Sequence, residues 1–132
     1  MAARIMAGLV GLLMALSAFG WMTDPESAAA NLGMQLLDGM GRSTQIGDFT
    51  AFFVTAAILP LYGAWRQEAQ WLIAPALLLG CAALFRTIAW LVHGADLATV
   101  TIIAELVMAA LLIASSFLMR KSTTSEPSET PS

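Results

Sequence analysis

Two ionisable residues of this sequence, Arg86 and Glu105, each stand inside a long run of apolar residues. A charged side chain at the centre of a membrane-spanning helix costs roughly 2.5–3.5 kcal/mol on insertion scales, so such residues usually pair, face a cavity or take part in function. An arginine can bind an anionic or carbonyl group, and a carboxylate can accept or relay a proton. These two residues are therefore the strongest candidates for chemistry in the chain.

The positions of Arg86 and Glu105 predict that their side chains meet. Arg86 precedes Asp96 by ten residues and Glu105 follows it by nine. At about 1.5 Å per helical residue, both lie roughly 14 Å from a turn at residues 95–96. In an antiparallel helical hairpin they are then at the same depth. The sequence predicts an Arg86–Glu105 ion pair, with Asp48 as the rival partner of Arg86.

Further polar residues are expected in the same half of the protein. Arg42 and Asp48 flank the start of an apolar run, and His93 follows Arg86 by seven residues, which returns it to nearly the same helix face. The other half of these runs holds no charged residue. We therefore expect a one-sided polar cluster of Arg42, Asp48, Arg86, His93 and Glu105.

Composition excludes several other kinds of site. Cys81 is the only cysteine and His93 the only histidine, so the chain has no internal disulfide and no pair of histidines for zinc or haem. We find no glycine-rich phosphate loop, no serine–histidine–aspartate spacing and no metal-ligand pair. The sequence thus predicts no cofactor and no metal and leans against an enzyme. The net charge of −3, without a basic patch, excludes nucleic acid as a partner.

The helices that position the cluster follow from hydropathy. The 132 residues are 58% hydrophobic and only 11% charged, whereas soluble domains carry about 25% charged residues. A helix needs about 20 apolar residues to cross the hydrocarbon core, and four runs qualify, at approximately residues 5–22, 46–65, 71–92 and 98–119. We predict an all-α, integral membrane four-helix bundle. Tryptophans near the ends of these runs are expected at the water–lipid interfaces: Trp21, Trp65, Trp71 and Trp90.

Positive charge predicts the orientation of the bundle in a cell membrane. Four basic residues fall on one side of a four-span topology: Arg4, Arg66, Arg120 and Lys121. The positive-inside rule therefore places both termini in the cytoplasm. The alternative for the first run is a cleaved signal peptide, because Arg4 precedes it and Ala15-Leu16-Ser17 offers small residues for cleavage. Against this, the run is long for a signal core and ends in Trp21-Met22.

The segments outside the spans are expected to be a short outer helix and a tail. Asp24-Pro25-Glu26 is typical of a helix start, and apolar residues recur at every fourth position from Ala28 to Met40. This pattern predicts an amphipathic helix on the outer membrane face, with a mobile loop as the alternative. Asp96 is expected to cap the last span. We expect residues 120–132, after a transmembrane domain of residues 1–119, to form a disordered cytoplasmic tail.

Helix association in lipid depends on close packing rather than on exclusion of water. Small residues recur at four-residue spacing in three of the runs: Ala3, Ala7, Gly11 and Ala15, then Ala76 and Gly80, then Ala110 and Ala114. These faces are predicted to pack the helices together, or to bind a second copy or another membrane protein. The bilayer itself is the one partner that composition indicates.

The polar residues also occur in a pattern that resembles a known family. The segments GRSTQIGDF at 41–49 and APALLLG at 74–80, Arg86 with the following Ala89-Trp90 and His93-Gly94, and Glu105-Leu106 are similar to a family of small bacterial four-span membrane proteins, domain of unknown function 4345. The resemblance covers roughly residues 7–119. It implies the fold, a bacterial inner membrane and the polar pattern at Arg42, Gly47-Asp48, Arg86 and Glu105. It implies no reaction, because that family has no established activity.

Three interpretations of the cluster follow. The favoured one is a network of ion pairs that holds the helices in register, since a buried pair that loses one partner costs several kcal/mol. In the second, the cluster lines an outward-facing pocket for a small amphiphilic or lipid-like ligand, which suits a carrier, a sensor or a membrane enzyme. In the third, the protein is an accessory subunit of a larger membrane complex.

Overall fold

Residues 1–125, the part of the chain that the computed structural model describes, form four long helices and one short helix joined by short connections. They are α1 (Ala2–Thr23), α2 (Pro25–Asn31), α3 (Gly39–Arg66), α4 (Ile73–His93) and α5 (Thr99–Thr124), with a 3-10 turn at Ala69–Leu72 before α4. The described residues contain no strand. The four long helices are apolar and long enough to cross a membrane. The predicted all-α, four-span bundle of a multi-pass membrane protein is confirmed.

The helices α1 and α3 pack together through small residues. Ala3, Ala7 and Gly11 are buried on α1, and at Gly11 the two helices approach each other closely. A Cβ atom on Gly11 would lie 2.6 Å from Leu61 Cγ and 3.1 Å from the carbonyl oxygen of Ala57. The predicted small-residue face of α1 is therefore confirmed, and the chain itself fills it.

The helices α4 and α5 form the predicted antiparallel hairpin. Gly94 ends α4 with a φ of +65°, a left-handed conformation that glycine adopts without strain. One expectation for α5 is wrong: its N-cap is Ala98, without a side-chain cap, so Asp96 stands too early in the connection to cap it. Ala110 and Ala114 are exposed, whereas Ala109 is buried, so the small-residue face of α5 does not pack within the bundle, and its use by a partner stays a prediction.

The outer segment between α1 and α3 is only partly the helix that its pattern predicts. Asp24 caps α2 by accepting a 3.2 Å hydrogen bond from the Ser27 backbone N–H, and hydrogen bonding by Ser27 lowers the pKa of Asp24. The helix stops at Asn31, because Gly33 adopts a φ of +74°. The predicted helix to Met40 is therefore too long. The chain is irregular from 32 to 38, and α3 starts seven residues before the expected Ile46.

One tryptophan differs from its prediction, and so does the end of α5. Trp21 is only 2% exposed and stacks on Phe49 with ring centroids 4.8 Å apart, so it is a core residue rather than an interfacial one. The others retain exposed surface. At the end of the last span, α5 continues to Thr124. The first residues assigned to a disordered tail are thus helical, and 126–132 lie outside the described residues.

The order of packing leaves a gap in the bundle. α1 packs along α3, α4 packs along α5, and α1 also contacts α5, whereas contacts between α3 and α4 are sparse. At one end, here called the basic end, the Arg4 side chain of α1 donates a 3.2 Å hydrogen bond to the carbonyl oxygen of Ala64 on α3. The opposite end carries α2 and the 94–98 connection and is called the α2 end. The gap lies on that side, between α3 and the α4–α5 hairpin.

Candidate functional site

Arg86 and Glu105 form the ion pair that their spacing predicts. Nε of Arg86 donates to Oε1 of Glu105 at 3.0 Å, joining α4 to α5. The Glu105 side chain is 8% exposed and that of Arg86 is 32% exposed. The carboxylate is thus deep in the hairpin, and the guanidinium extends from it toward open space.

Helix geometry explains why these two residues meet. The hairpin turns at residues 94–98, so Arg86 and Glu105 lie at nearly equal distances along their helices from the middle of that turn. Three consecutive turns of each helix rise by the same amount, and no proline interrupts either helix between the turn and the pair. Asp48, the rival partner, makes no ion pair with Arg86.

The second oxygen of the Glu105 carboxylate is buried without a partner. Oε2 is inaccessible, and it accepts no hydrogen bond from any donor among residues 1–125. An ionised carboxylate accepts hydrogen bonds at both oxygens. Leaving a buried acceptor unsatisfied costs about 1–3 kcal/mol, and more for a charged group. The fold therefore holds a strong acceptor in place without meeting its need for a donor.

A cavity of about 470 Å³ lies beside the ion pair. All four long helices contribute to its wall, together with Leu32 from the irregular segment, and most of the lining side chains are apolar: Met14, Phe49, Phe52, Phe53, Leu79, Ala82, Phe85, Ala89, Ala104 and Met108. The polar side chains of the wall are Arg86, Glu105, Ser17 and Thr101. The cavity fills the gap between α3 and the hairpin.

The remaining members of the predicted cluster do not join the pair. Arg42 binds Asp38 at 2.9 Å across one turn, on an exposed surface, and its Nε donates to the carbonyl oxygen of Leu37. Asp48 and His93 are exposed and take part in none of the ion pairs among residues 1–125. The prediction of one converging cluster is wrong for these three residues.

These three residues do not reach the pair because of their positions along the helices and the directions in which their side chains leave them. His93 shares the face of Arg86 but lies about 10 Å further along the helix, at 1.5 Å per residue, where α4 ends. Arg42 belongs to the first turn of α3 and is held by the adjacent irregular segment. Asp48 is on α3, which the hairpin barely contacts.

Sequence reasoning missed the aromatic part of the wall. Phe49, Phe52 and Phe53 on α3 and Phe85 on α4 line the cavity. The spacing of the first three, i, i+3 and i+4, places them on one helix face and could have indicated a shared apolar surface. Gln45 was also missed. It is buried, and its amide accepts from the Leu37 N–H at 2.7 Å and donates to the Gln35 carbonyl at 3.1 Å, which holds the irregular segment against α3.

The chemistry that this arrangement supports is recognition by hydrogen bonds in an apolar surrounding. The Ser17 hydroxyl already donates to the carbonyl oxygen of Leu13, so it is not an activated nucleophile. Within residues 1–125, no three His, Cys, Asp or Glu side chains are close enough together to hold a metal ion. The polar groups of the wall that can contact a molecule in the cavity are the guanidinium of Arg86 and the hydroxyl of Thr101.

Comparison with known proteins adds no relative to this picture. No family model, no curated protein and no solved structure matches the chain. The function must therefore be argued from the site alone.

Proposed function

We propose that this protein binds a small, largely apolar molecule inside the membrane, with the polar group of that molecule at Arg86 and Glu105. One observation carries the proposal: a cavity of about 470 Å³ whose mostly apolar wall contains the charged Arg86–Glu105 pair. A receptor or a carrier fits this arrangement better than an enzyme, because no nucleophile in the wall is paired with a base.

The size and lining of the cavity support a binding role. Protein interiors are close-packed and hold few voids larger than a water molecule. Pockets for small molecules have volumes of about 300–1,000 Å³, with mostly apolar walls and a few placed polar groups. The gap beside Arg86 has these properties. Charged residues inside membrane spans also commonly mark ligand or ion sites.

We further propose that the basic end faces the cytoplasm of a bacterial inner membrane, so that the cavity lies in the outer half of the bilayer. The positive-inside rule supports this orientation, since Arg4 and Arg66 belong to the same end of the bundle. Membership of the bacterial four-span family stays a prediction, supported by the Arg, Gly-Asp, Arg and Glu pattern.

A second candidate role is structural, and the 3.0 Å ion pair between α4 and α5 favours it. In this interpretation the pair holds the hairpin in register and the cavity has no occupant. The two roles give different results when the cavity is filled, because a structural pair does not depend on the space beside it.

The test fills the cavity without touching the pair. Ala104→Trp places a large side chain in the wall, and Ala114→Trp makes the same change at an exposed position of the same helix, outside that wall. Each protein is incorporated in lipid nanodiscs with four para-octylbenzenes that differ only in headgroup: methyl, hydroxyl, acetyl and carboxylate. Thermal unfolding is then measured at equal mole fractions of each compound in the lipid.

A compound that binds only the folded protein stabilises it by RT ln(1 + [L]/Kd). We expect at least one of the four to raise the unfolding temperature of the native protein and of Ala114→Trp, and none to raise that of Ala104→Trp. If no compound stabilises the native protein more than Ala104→Trp, the binding proposal is wrong and the structural role is preferred.

A further inference from the structure

We infer that the polar group of the ligand is a neutral carbonyl, so that the bound molecule is an apolar ketone or ester rather than an anion or an alcohol. The inference rests on the proposed binding function and concerns the group that contacts Arg86. It follows from the N–H groups that Arg86 leaves unused, from the helix face on which Arg86 lies, and from the negative charge of Glu105 beside it.

Arg86 has hydrogen-bond donors that the protein does not use. Its Nε–H donates to Glu105 at 3.0 Å, and a guanidinium carries four further N–H groups on its two terminal nitrogens. These nitrogens donate to no residue among 1–125, yet they do not belong to the buried, unpaired atoms of that part of the chain. Unlike Oε2 of Glu105, they are therefore accessible to another molecule.

The helix face that carries Arg86 is turned toward the cavity. The wall residues of α4 have the spacing i, i+3, i+4 and i+7 of a single helix face: Ala82, Phe85, Arg86 and Ala89. Because wall residues lie one turn before and one turn after Arg86, its side chain leaves the helix on the cavity side. The neighbours Ala82 and Ala89 have small side chains, which leave space for a headgroup beside the guanidinium.

A carbonyl group matches these donors. Its oxygen accepts through two lone pairs and brings no hydrogen that needs an acceptor of its own. A hydrogen bond from a charged donor is roughly twice as strong as one between neutral groups, and an apolar surrounding strengthens it further. The accessible N–H groups of Arg86 thus favour a ligand that accepts.

A hydroxyl group matches less well, because its hydrogen also needs an acceptor. Glu105 does not supply one, since Oε1 already accepts from Arg86 and Oε2 is inaccessible. The other side-chain oxygens of the wall are the hydroxyls of Ser17 and Thr101. The oxygen of a phenol is also a weaker acceptor than that of a ketone, because its lone pairs are shared with the ring.

The charge of Glu105 disfavours an anion. Arg86 and Glu105 together carry no net charge, so the pair offers no excess positive charge. A carboxylate ligand at Arg86 would stand near the Glu105 carboxylate in a medium of low dielectric, where like charges repel strongly. An anion that displaced Glu105 from Arg86 would leave a buried charge without its partner, which is strongly destabilising. A neutral acceptor meets neither cost.

The headgroup series described above tests this inference in the native protein. The nanodiscs are made of ether-linked lipids, so that the membrane itself supplies no carbonyl. We expect 4-octylacetophenone to bind on the order of tenfold tighter than 4-octyltoluene, with the phenol between them and the benzoate weakest. Affinity is read from the stabilisation at several mole fractions, after subtracting the effect of each compound on Ala104→Trp.

A pair of variants tests whether Arg86 is the donor. Arg86→Leu/Glu105→Leu removes the guanidinium without leaving the carboxylate unpaired, and the advantage of the ketone over the toluene should vanish. Thr101→Val is the matched control, because it removes the other hydrogen-bond donor of the wall at nearly constant volume, and it should keep that advantage. The infrared stretching frequency of the isotope-labelled ketone carbonyl, which falls when the oxygen accepts a hydrogen bond, should be lower in the native protein than in the double variant.

Two sources can supply such a carbonyl, a free ring ketone or the ester of a membrane lipid. Four phenylalanines in the wall favour a ring, because aromatic rings prefer stacked or edge-to-face contacts with one another: Phe49, Phe52, Phe53 and Phe85. Without added compound, the native protein and Ala104→Trp are compared in ether-linked and in ester-linked lipids. A stability difference that widens in ester-linked lipids assigns the carbonyl to a lipid ester, and an unchanged difference assigns it to a ring ketone.

The outcomes separate this inference from the proposed function. Equal affinity for the ketone and the toluene would overturn the inference and leave the binding of apolar molecules standing. A phenol or a benzoate that binds tightest would overturn it in favour of an alcohol or an anion. An advantage of the ketone that is lost in Thr101→Val and kept in the double variant would overturn the role of Arg86. Stabilisation by none of the four compounds would overturn the binding function, and the inference with it.

Discussion

Removal of one member of the Arg86–Glu105 pair should destabilise the protein by an amount that the structure lets us work out. Breaking a fully buried ion pair costs about 3–5 kcal/mol. Because about one third of the Arg86 side chain is accessible, we expect about 2–3 kcal/mol for each of Arg86→Leu and Glu105→Leu. Glu105→Leu should cost more, since arginine keeps its charge whereas a carboxylate left alone can bind a proton and become neutral.

The double variant should recover part of this loss, because it leaves neither charge unpaired. We expect a coupling energy of about 1–2 kcal/mol from the double-mutant cycle. The free energy of unfolding of all four proteins is measured by denaturant titration in the same bicelles. The exposed pair Arg42–Asp38, with side chains 50% and 96% accessible, is the matched control, and its coupling should not exceed about 0.5 kcal/mol.

Two results would contradict this reasoning. If the effects of Arg86→Leu and Glu105→Leu add to within about 0.3 kcal/mol, the side chains do not interact and the register of the α4–α5 hairpin is wrong. If the Arg42–Asp38 control couples as strongly as the buried pair, burial is not the cause of the coupling.

Three further predictions concern packing, pH and orientation. The free energy of unfolding of Gly11→Ala should be about 1–3 kcal/mol lower than that of Gly8→Ala. A Cβ at Gly11 meets Leu61 and the α3 backbone, whereas a Cβ at Gly8 meets nothing within 4 Å. Equal unfolding free energies would refute the close approach of α1 and α3. The Trp71 indole N–H donates to Glu68 at 2.7 Å and is the main cause of the lowered pKa of this carboxyl. The stabilisation from Glu68 is therefore complete above its ordinary pKa of about 4.3 and is lost as pH falls through the lowered value. Between pH 7 and pH 3 the unfolding temperature should fall further in the native protein than in Glu68→Gln; parallel curves would contradict this. Finally, a reporter fused after residue 124 should be cytoplasmic, and one inserted within residues 94–98 should be external. An external location for the fusion after residue 124 would reverse the proposed orientation.

The Arg86–Glu105 ion pair is a feature of this protein that local helix geometry predicts. Helix rise is constant and the turn near Asp96 is short, so two residues equally spaced about it must come to the same depth. That argument needs no knowledge of the other helices, and it predicted Arg86 and Glu105 correctly. Hydropathy predicted the four spans for a similar reason, because the bilayer imposes a length on every helix that crosses it.

The membership of the cluster failed where the prediction depended on packing between helices. Arg42, Asp48 and His93 were grouped with the pair because they share its half of the bundle, but lying in the same half does not bring side chains into contact. Each is directed by its own helix and its own neighbours, as the binding of Arg42 to Asp38 shows. The burial of Trp21 against Phe49 is a contact of the same kind, which no pattern within a single helix indicates.

By itself, then, the sequence determined the number of spans, the hairpin register and the Arg86–Glu105 pair, because each follows from distances along one helix or across one short turn. Only the tertiary structure decided that α3 packs on α1 rather than on α4. Gly11 lets the two helices pack closely, because a Cβ at this position would collide with Leu61, and α3 has only sparse contacts with α4. The cavity follows from that choice, since it belongs to the space between helices and to no single segment of the chain.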